Sequence, residues 1–312
     1  IYNGIWNGAF YTPAKAVADP AWILYDLMIN SRYGLGKYIK PSQINKWVLY
    51  EISQYCNEYV SDGYGGTEHR FSCNVLLENK EDAYKVIQSI VSVFRGFSYW
   101  IDGAIAVAAD KPGTPIAQFT QADVEEGLFV YAGTGLKTRK TVAIVSWSNP
   151  EDLYKRTVET CEDPNGIEKY GIRESEISAF ACTSRGQARR AGMAALLTDR
   201  LEQETVIFKA RAYAAYTQPG DIIRIMDSHR SEIRYGGLIK QATTTSITLD
   251  NPVNLLADKS YSISVMLSDG TLSSAIVLND PGTFETLSVS GFPSAPPSES
   301  NWILTTQTVQ PQ

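Results

Sequence analysis

Residues 177–210 read ISAFACTSRGQARRAGMAALLTDRLEQETVIFKA, a run that holds a helix start, a helix body and a switch to strand. Ser184 stands where an N-cap belongs and Gln187 follows three residues later. That S-x-x-Q spacing is a capping box, in which each side chain answers the other residue's backbone N–H. Small residues recur at Ala188, Ala191, Gly192 and Ala195, with Met193, Leu197 and Leu201 on an adjoining stripe, and the spacing is helical. Such a small face lets another backbone approach closely. From Glu204 the pattern alternates, Val206, Phe208 and Ala210 on one side and Ile207 on the other, which predicts a strand. A helix that feeds directly into a strand needs a sheet to lie on. The stretch is scaffold, and nothing in it has a catalytic pattern.

Upstream, Asp19-Pro20 supplies a cap and a first-turn proline for a helix to about residue 30, with Trp22, Ile23, Leu27 and Met28 on its apolar face. A second helix opens at Pro41 or Ser42 and turns Ile44, Trp47, Val48, Ile52 and Tyr55 inward, so the pair reads as a helical hairpin around Gly34 and Gly36. Residues 61–70, SDGYGGTEHR, hold three glycines but lack the G-K-[ST] of a phosphate loop, and a mobile connector is expected there. Residues 71–77 are extended. A helix then runs from Asn79 or Glu81 to Arg95, and strands at 97–100 and 104–109 flank Asp102-Gly103, a two-residue hairpin signal. Residues 114–140 read as a linker region. Strands at 142–147, 153–160 and 172–177, with a short helix from Asp163-Pro164, join the opening stretch in a second α+β unit.

Downstream the chain becomes all-β. Gln218-Pro219-Gly220-Asp221 has type II turn composition and launches a strand at 222–226. Gly236-Gly237, Asp250-Asn251 and Ser268-Asp269-Gly270 mark turns among strands at 233–239, 246–249, 261–267 and 272–278. Short strands at such spacing predict a small barrel or sandwich. Residues 291–300, GFPSAPPSES, are linker-like. The fold class is therefore α+β and multi-domain. A helical hairpin plus α+β unit occupies 1–112, a second α+β unit 113–211 and a β-rich barrel-like domain 212–290, with a linker or the start of a further domain at 291–312.

A chain of 312 residues with 44% hydrophobic and 20% charged residues can bury an ample core and has the composition of a soluble globular protein. No apolar run reaches the length of a membrane span and no basic-then-apolar leader opens the sequence. Ile1 in first place suggests a piece of a longer polypeptide. A net charge of −6 argues against a nucleic-acid binder, which needs a basic face. Cys56, Cys73, Cys161 and Cys182 form no C-x-x-C pair, so buried reduced thiols are expected rather than a metal site.

A nucleophilic triad would need His69 or His229, and both fall in exposed-looking turns. Paired carboxylates, the machinery of a glycoside hydrolase, could come from Glu125-Glu126, Glu174, Glu176 or the cluster from Glu159 to Asp163. Each fits a solvated strand edge or loop, and no cleft-forming pattern joins them. No catalytic, cofactor-binding or metal residue is assigned, and none is expected. Tyrosines and tryptophans could line a sugar-binding groove. The helical ones, such as Trp22 and Trp47, fit core stripes, and the exposed remainder fits subunit contacts.

Four runs carry a family resemblance: AFACTSRGQARRAG (179–192), DPAWILYDLMINSRYGLGK (19–37), WVLYEISQYC (47–56) and DGYGGTEHRFSCNVLL (62–77). In order and spacing they resemble the tail tip attachment, or host specificity, proteins J of lambda-like bacteriophages, and the likeness fades toward the C-terminus. The resemblance implies a tail-hub-like arrangement of three subunits in a ring around the tail channel, made in the host bacterial cytoplasm and placed at the virion tail tip. It further implies contacts with other tail proteins and receptor binding through regions beyond Gln312, from a phage or prophage of a Gram-negative bacterium. An acidic channel wall would keep DNA from sticking. A tail-associated glycoside hydrolase or carbohydrate-binding module is the alternative.

Overall fold

Asp19 is the first residue whose local role and tertiary role coincide. In the computed structural model, which describes residues 6–10, 18–77, 82–101, 103–135, 139–210, 212–227, 230 and 235–307, its carboxylate caps helix α1 (Pro20–Ile29) by accepting the Ala21 N–H at 2.9 Å. The same carboxylate takes the Ser53 hydroxyl and the Asn57 amide from helix α2 (Lys46–Asn57). One buried anion thus satisfies a helix start and fixes the helix packed against it. Leu24 and Met28 of α1 and Leu49, Ile52 and Cys56 of α2 meet in a core completed by Ile87, Ile90 and Val91 of helix α3 (Ala83–Val93).

Between α2 and α3 lies an antiparallel hairpin, β1 (Tyr59–Ser61) with β2 (Thr67–His69). After α3, β3 (Gly96–Ile101) and β4 (Ala104–Ala109) pair antiparallel and bring Val107 onto the helical core. Gly103 turns them with φ +74, a conformation glycine adopts without strain. Its expected companion Asp102 lies outside the described residues. Ile44 and Trp47 depart from the expected stripe. α2 begins only at Lys46, so Ile44 bridges to Ile105 of β4, and Trp47 is 49% exposed while Leu49 takes the inward position.

The chain divides into two compact units, Ile1–Lys111 with Gly133–Gln203, and Pro112–Ala132 with Glu204–Gln312. In the first, β7 (Val142–Asn149) is the middle strand of a three-stranded sheet, antiparallel to β8 (Lys155–Glu162) and parallel to β9 (Glu174–Ser178), with α4 (Pro164–Tyr170) between β8 and β9. Helix α5 (Arg185–Leu201) covers one face, packing Ala188 and Leu196 on Ala143, Val145 and Cys161. The expected small face is real. A methyl group at Gly192 would stand 2.7 Å from Cys161 Sγ and 2.8 Å from a Val145 methyl, so only glycine allows this approach. Leu196, not Leu201, is the large residue on that face, because its i+4 spacing from Gly192 keeps it over the sheet while Leu201 points to solvent.

The second unit uses residues that composition marked as linker. β5 (Ala117–Phe119) is wholly buried and pairs in parallel with β11 (Ile223–Ile225), and β6 (Val130–Gly133) pairs with β10 (Glu204–Ile207). Phe119 and Phe129 both pack on Phe208. Three buried residues are too few to show periodicity, which is why β5 has no sequence signal.

The rest is a six-stranded antiparallel sheet in the order β15–β14–β17–β12–β13–β16, from β12 (Gly236–Ala242), β13 (Ser246–Leu255), β14 (Ser260–Met266), β15 (Leu272–Ile276), β16 (Gly282–Ser288) and β17 (Asn301–Gln307). It curls until its edges meet. Val277 bridges Val289, and the Leu278 N–H donates to the Ser288 carbonyl at 2.8 Å. Ile247, Leu249, Ile263, Val265, Leu287 and Trp302 fill the inside.

Two turns expected here are absent. β13 runs straight through Asp250-Asn251, absorbing them in a register shift between Thr248 and Val253 against β16. Gly236-Gly237 open β12, and any side chain at Gly237 would collide with the Asp250 carboxylate. Residues 291–300 lead into β17, the strand between β14 and β12. Gly192→Val should therefore cost about 1–3 kcal/mol by overpacking, and Trp302→Ala, which empties the centre of the curled sheet, about 3–5 kcal/mol. Urea unfolding followed by circular dichroism measures both, and wild-type midpoints would contradict the packing described.

Candidate functional site

The densest polar constellation in the first unit lies where the β1–β2 hairpin meets the start of α5. Asp62 closes the hairpin loop by accepting the Tyr64 N–H at 2.7 Å and the Gly66 N–H at 2.9 Å, and those bonds hold its carboxyl below the usual carboxylate range. Tyr64 then reaches β8. Its hydroxyl donates to the Glu159 carboxylate, while the Arg185 guanidinium lies 4.2 Å from its ring centre and bonds Glu159 through Nε at 2.8 Å. Burial pushes the Glu159 carboxyl up, but the Arg185 and Tyr64 bonds outweigh it and leave the group net lowered.

The second β-strand of the hairpin is held as firmly. Glu68 accepts the Ser184 hydroxyl and pairs with Arg190 Nη1 at 2.6 Å, and Arg190 Nη2 donates to the Arg70 carbonyl at 2.9 Å. Gly186 leaves room for this, since a Cβ there would meet the Glu68 carboxylate and stand 2.9 Å from Asp62 Cα. The segment 61–70 is therefore no mobile connector: Gly63 lies close against Arg189 of α5, and Glu68 finds a cationic partner in Arg190.

Gln187 shows the same tertiary override. Ser184 accepts the Gln187 N–H at 3.2 Å, which is half of the capping box. The Gln187 amide does not return to Ser184. Its Oε1 accepts the Ser72 N–H at 3.0 Å and its Nε2 donates to the Ser72 carbonyl at 3.1 Å, so it reads a stretch of backbone as a neighbouring strand would. Asn74 continues the line, its N–H donating to the Ala181 carbonyl at 2.9 Å.

The carboxylates weighed as a hydrolytic pair do not converge. Val145 pairs with Glu159 on one side and Ile177 on the other, whereas Ile144 pairs with Glu176 and Val142 with Glu174. Alternation places Glu159 on the α5 face and Glu174 and Glu176 on the opposite, solvent-exposed face. Asp163 is buried and bound to Arg200 at 2.8 Å. Glu125 and Glu126 belong to the second unit, Glu125 beside Lys209 at 3.6 Å. His69 Nδ1 lies 3.0 Å from the Asn57 carbonyl with its ring against Tyr59, and His229 lies outside the described residues.

All four cysteines are buried and free, and burial pushes the Cys73 and Cys182 thiols up to about 11. Among the described residues no group of three or more His, Cys, Asp or Glu is placed to hold a metal, and no helix is long and apolar enough to cross a membrane.

Aromatic side chains gather on the outer side of α1 and α2. Trp6 touches Phe10, Trp22, Trp47 and Tyr50, and Lys46 Nζ lies over Trp6 while donating to the Gly8 carbonyl at 2.7 Å. Trp47 thus serves this cluster, whereas Trp22 joins it and also packs against the helical core as expected.

Similarity to known proteins places the chain among phage tail proteins. The family described as "Putative phage tail protein" matches residues 82–238. The chain belongs to this phage tail protein family. Tip attachment protein J of Escherichia phage SECphi27 is 38% identical over 231 residues, covering 74% of this chain and 19% of that protein. Tip attachment protein J of Escherichia phage SECphi4 is 33% identical over 251 residues, covering 79% of this chain and 22% of that protein. The resemblance read from the four sequence runs is thereby confirmed. The phage tail chain spans about a fifth of the length of these curated relatives.

Of the residues at the α5 junction, the sequence offers only Glu159 as a functional candidate, in a carboxylate pair that does not form. Ser184 and Glu68 are 116 positions apart, and no local pattern links them. Gln187→Ala should strand both backbone groups of Ser72 and cost about 1–3 kcal/mol, with faster amide exchange at Ser72 as the specific signature. Glu159→Gln tests the other arm. A carboxyl lowered from 4.5 contributes stability above that pH and loses it as pH falls through its folded value. The melting temperature of wild type should therefore exceed that of the variant at pH 7, with the gap closing below pH 4.5.

Proposed function

We propose that this chain is a structural part of a phage tail tip, assembled as a ring of three copies around the tail channel and joining the tail tube to receptor-binding regions carried elsewhere in the full protein. Its relatives' name, tip attachment protein, supports a place at the distal end of the virion tail. The carrying observation is the α5 junction, where Glu68, Glu159, Ser184, Arg185, Gln187 and Arg190 all bond to other parts of the same unit. Side chains so committed give rigidity, which a load-transmitting ring needs, and leave Glu159 tied up as a potential acid or nucleophile. The reading is non-enzymatic, with other tail proteins and further copies of the chain as partners.

Trp47, 49% exposed beside the buried Trp6, favours a second reading, a carbohydrate-binding surface, because an exposed indole can stack on a sugar ring. Light scattering across a concentration series distinguishes the two. The ring reading expects self-association toward three copies, and a stable dimer would overturn it. The carbohydrate reading expects glycan-array signals abolished by Trp47→Ala. Peptidoglycan cleavage lost on replacing Glu125 or Glu174 would revive a hydrolase instead.

A further inference from the structure

Six non-glycine residues among those described hold positive φ, and only Leu153 and Tyr154 among them carry large apolar side chains. They are adjacent, at φ 52 and φ 59, at the tip of the β7–β8 hairpin. Left-handed backbone is disfavoured for any residue with a Cβ, and exposing leucine and tyrosine is disfavoured again. Leu153 is 85% and Tyr154 64% exposed. Glycine or asparagine would serve the same turn without either cost. The base of the tip is electrically balanced, Glu151 and Asp152 against Lys155 and Arg156, with Asp152 and Lys155 paired at 3.0 Å. An apolar end on a neutral base fits an uncharged apolar recess better than a nucleic acid or an anionic surface.

Charge distribution indicates whose recess it is. The unit that carries the tip holds 21 Lys and Arg against 21 Asp and Glu, whereas the other holds 7 against 13, so the whole excess of −6 sits on the second unit. Copies that met through their second units would oppose like charges, and copies that met through their first units would not.

We propose that Leu153 and Tyr154 form a plug by which the first unit of one copy enters an apolar recess on the first unit of the next. Such a head-to-tail contact is of the kind that closes rings. It rests on the self-association reading above and names the surface responsible.

The test uses sedimentation equilibrium of the full chain beside its Leu153→Gly/Tyr154→Gly double variant. Removal of left-handed strain should leave the melting temperature unchanged or raised, while association weakens about tenfold or more. In 0.5 M NaCl, on the order of a 4 Å screening length, wild-type association should hold or strengthen. Should the glycine pair lower the melting temperature, Leu153→Asn/Tyr154→Asn, which suits the same turn, gives the reading. Unchanged association in a well-folded double variant overturns the plug and leaves the ring standing. A wild-type chain that stays monomeric at every concentration overturns both.

Discussion

Backbone that leaves secondary structure inside a folded unit must find partners for its N–H and C=O groups, and in this protein the start of α5 shares that task with the carbonyls of Ala18, Cys56 and Glu58. The segment from Glu68 to Asn74 belongs to no extended sheet beyond the short hairpin that it leaves. Ser184 at Glu68, Arg190 at Arg70, Gln187 at Ser72 and the Ala181 carbonyl at Asn74 meet it in succession. The helical half of the first unit and its three-stranded sheet are joined by this line of hydrogen bonds. Replacement by apolar packing would not hold register, because a greasy contact slides while a two-point amide contact does not.

That constraint explains where glycine stands. Gly186 and Gly192 lie six residues apart on α5 and serve different neighbours, the hairpin in one case and the β7–β8 pair in the other. A helix that must touch a sheet along its body and a hairpin at its start has no room for side chains at either point. The cost of glycine within a helix is about 1 kcal/mol each, and the close packing of both partners offsets it.

The two units solve the problem of burial differently. The first relies on polar ties between modest cores, and the second on one curled sheet whose edges bond to each other, leaving no long strand edge open there. Trp302 sits at the centre of that sheet on β17, the last described strand in the sequence but an interior one in space. The acidic excess of the chain is confined to the unit with the curled sheet.

Local chemistry in the chain determined much of this. The Asp19-Pro20 start, the α4 start at Asp163-Pro164, the β3–β4 hairpin, the small face at Ala188 and Gly192 and the β14–β15 pair all follow from caps, periods and turn residues that act within a few positions. The family was legible as well, because long runs of sequence persist where function does not announce itself. Only the tertiary structure decided the rest. Gln187 has a local partner in Ser184 and a distant one in Ser72, and its side chain takes the distant one because Ser72 offers both a donor and an acceptor to the amide. Asp250-Asn251 looks like a turn and is a bulge, since neighbouring strands on both sides hold β13 extended. Residues 117–119 and 301–307 were invisible as core strands because burial from both sides erases the alternation that marks a strand in sequence.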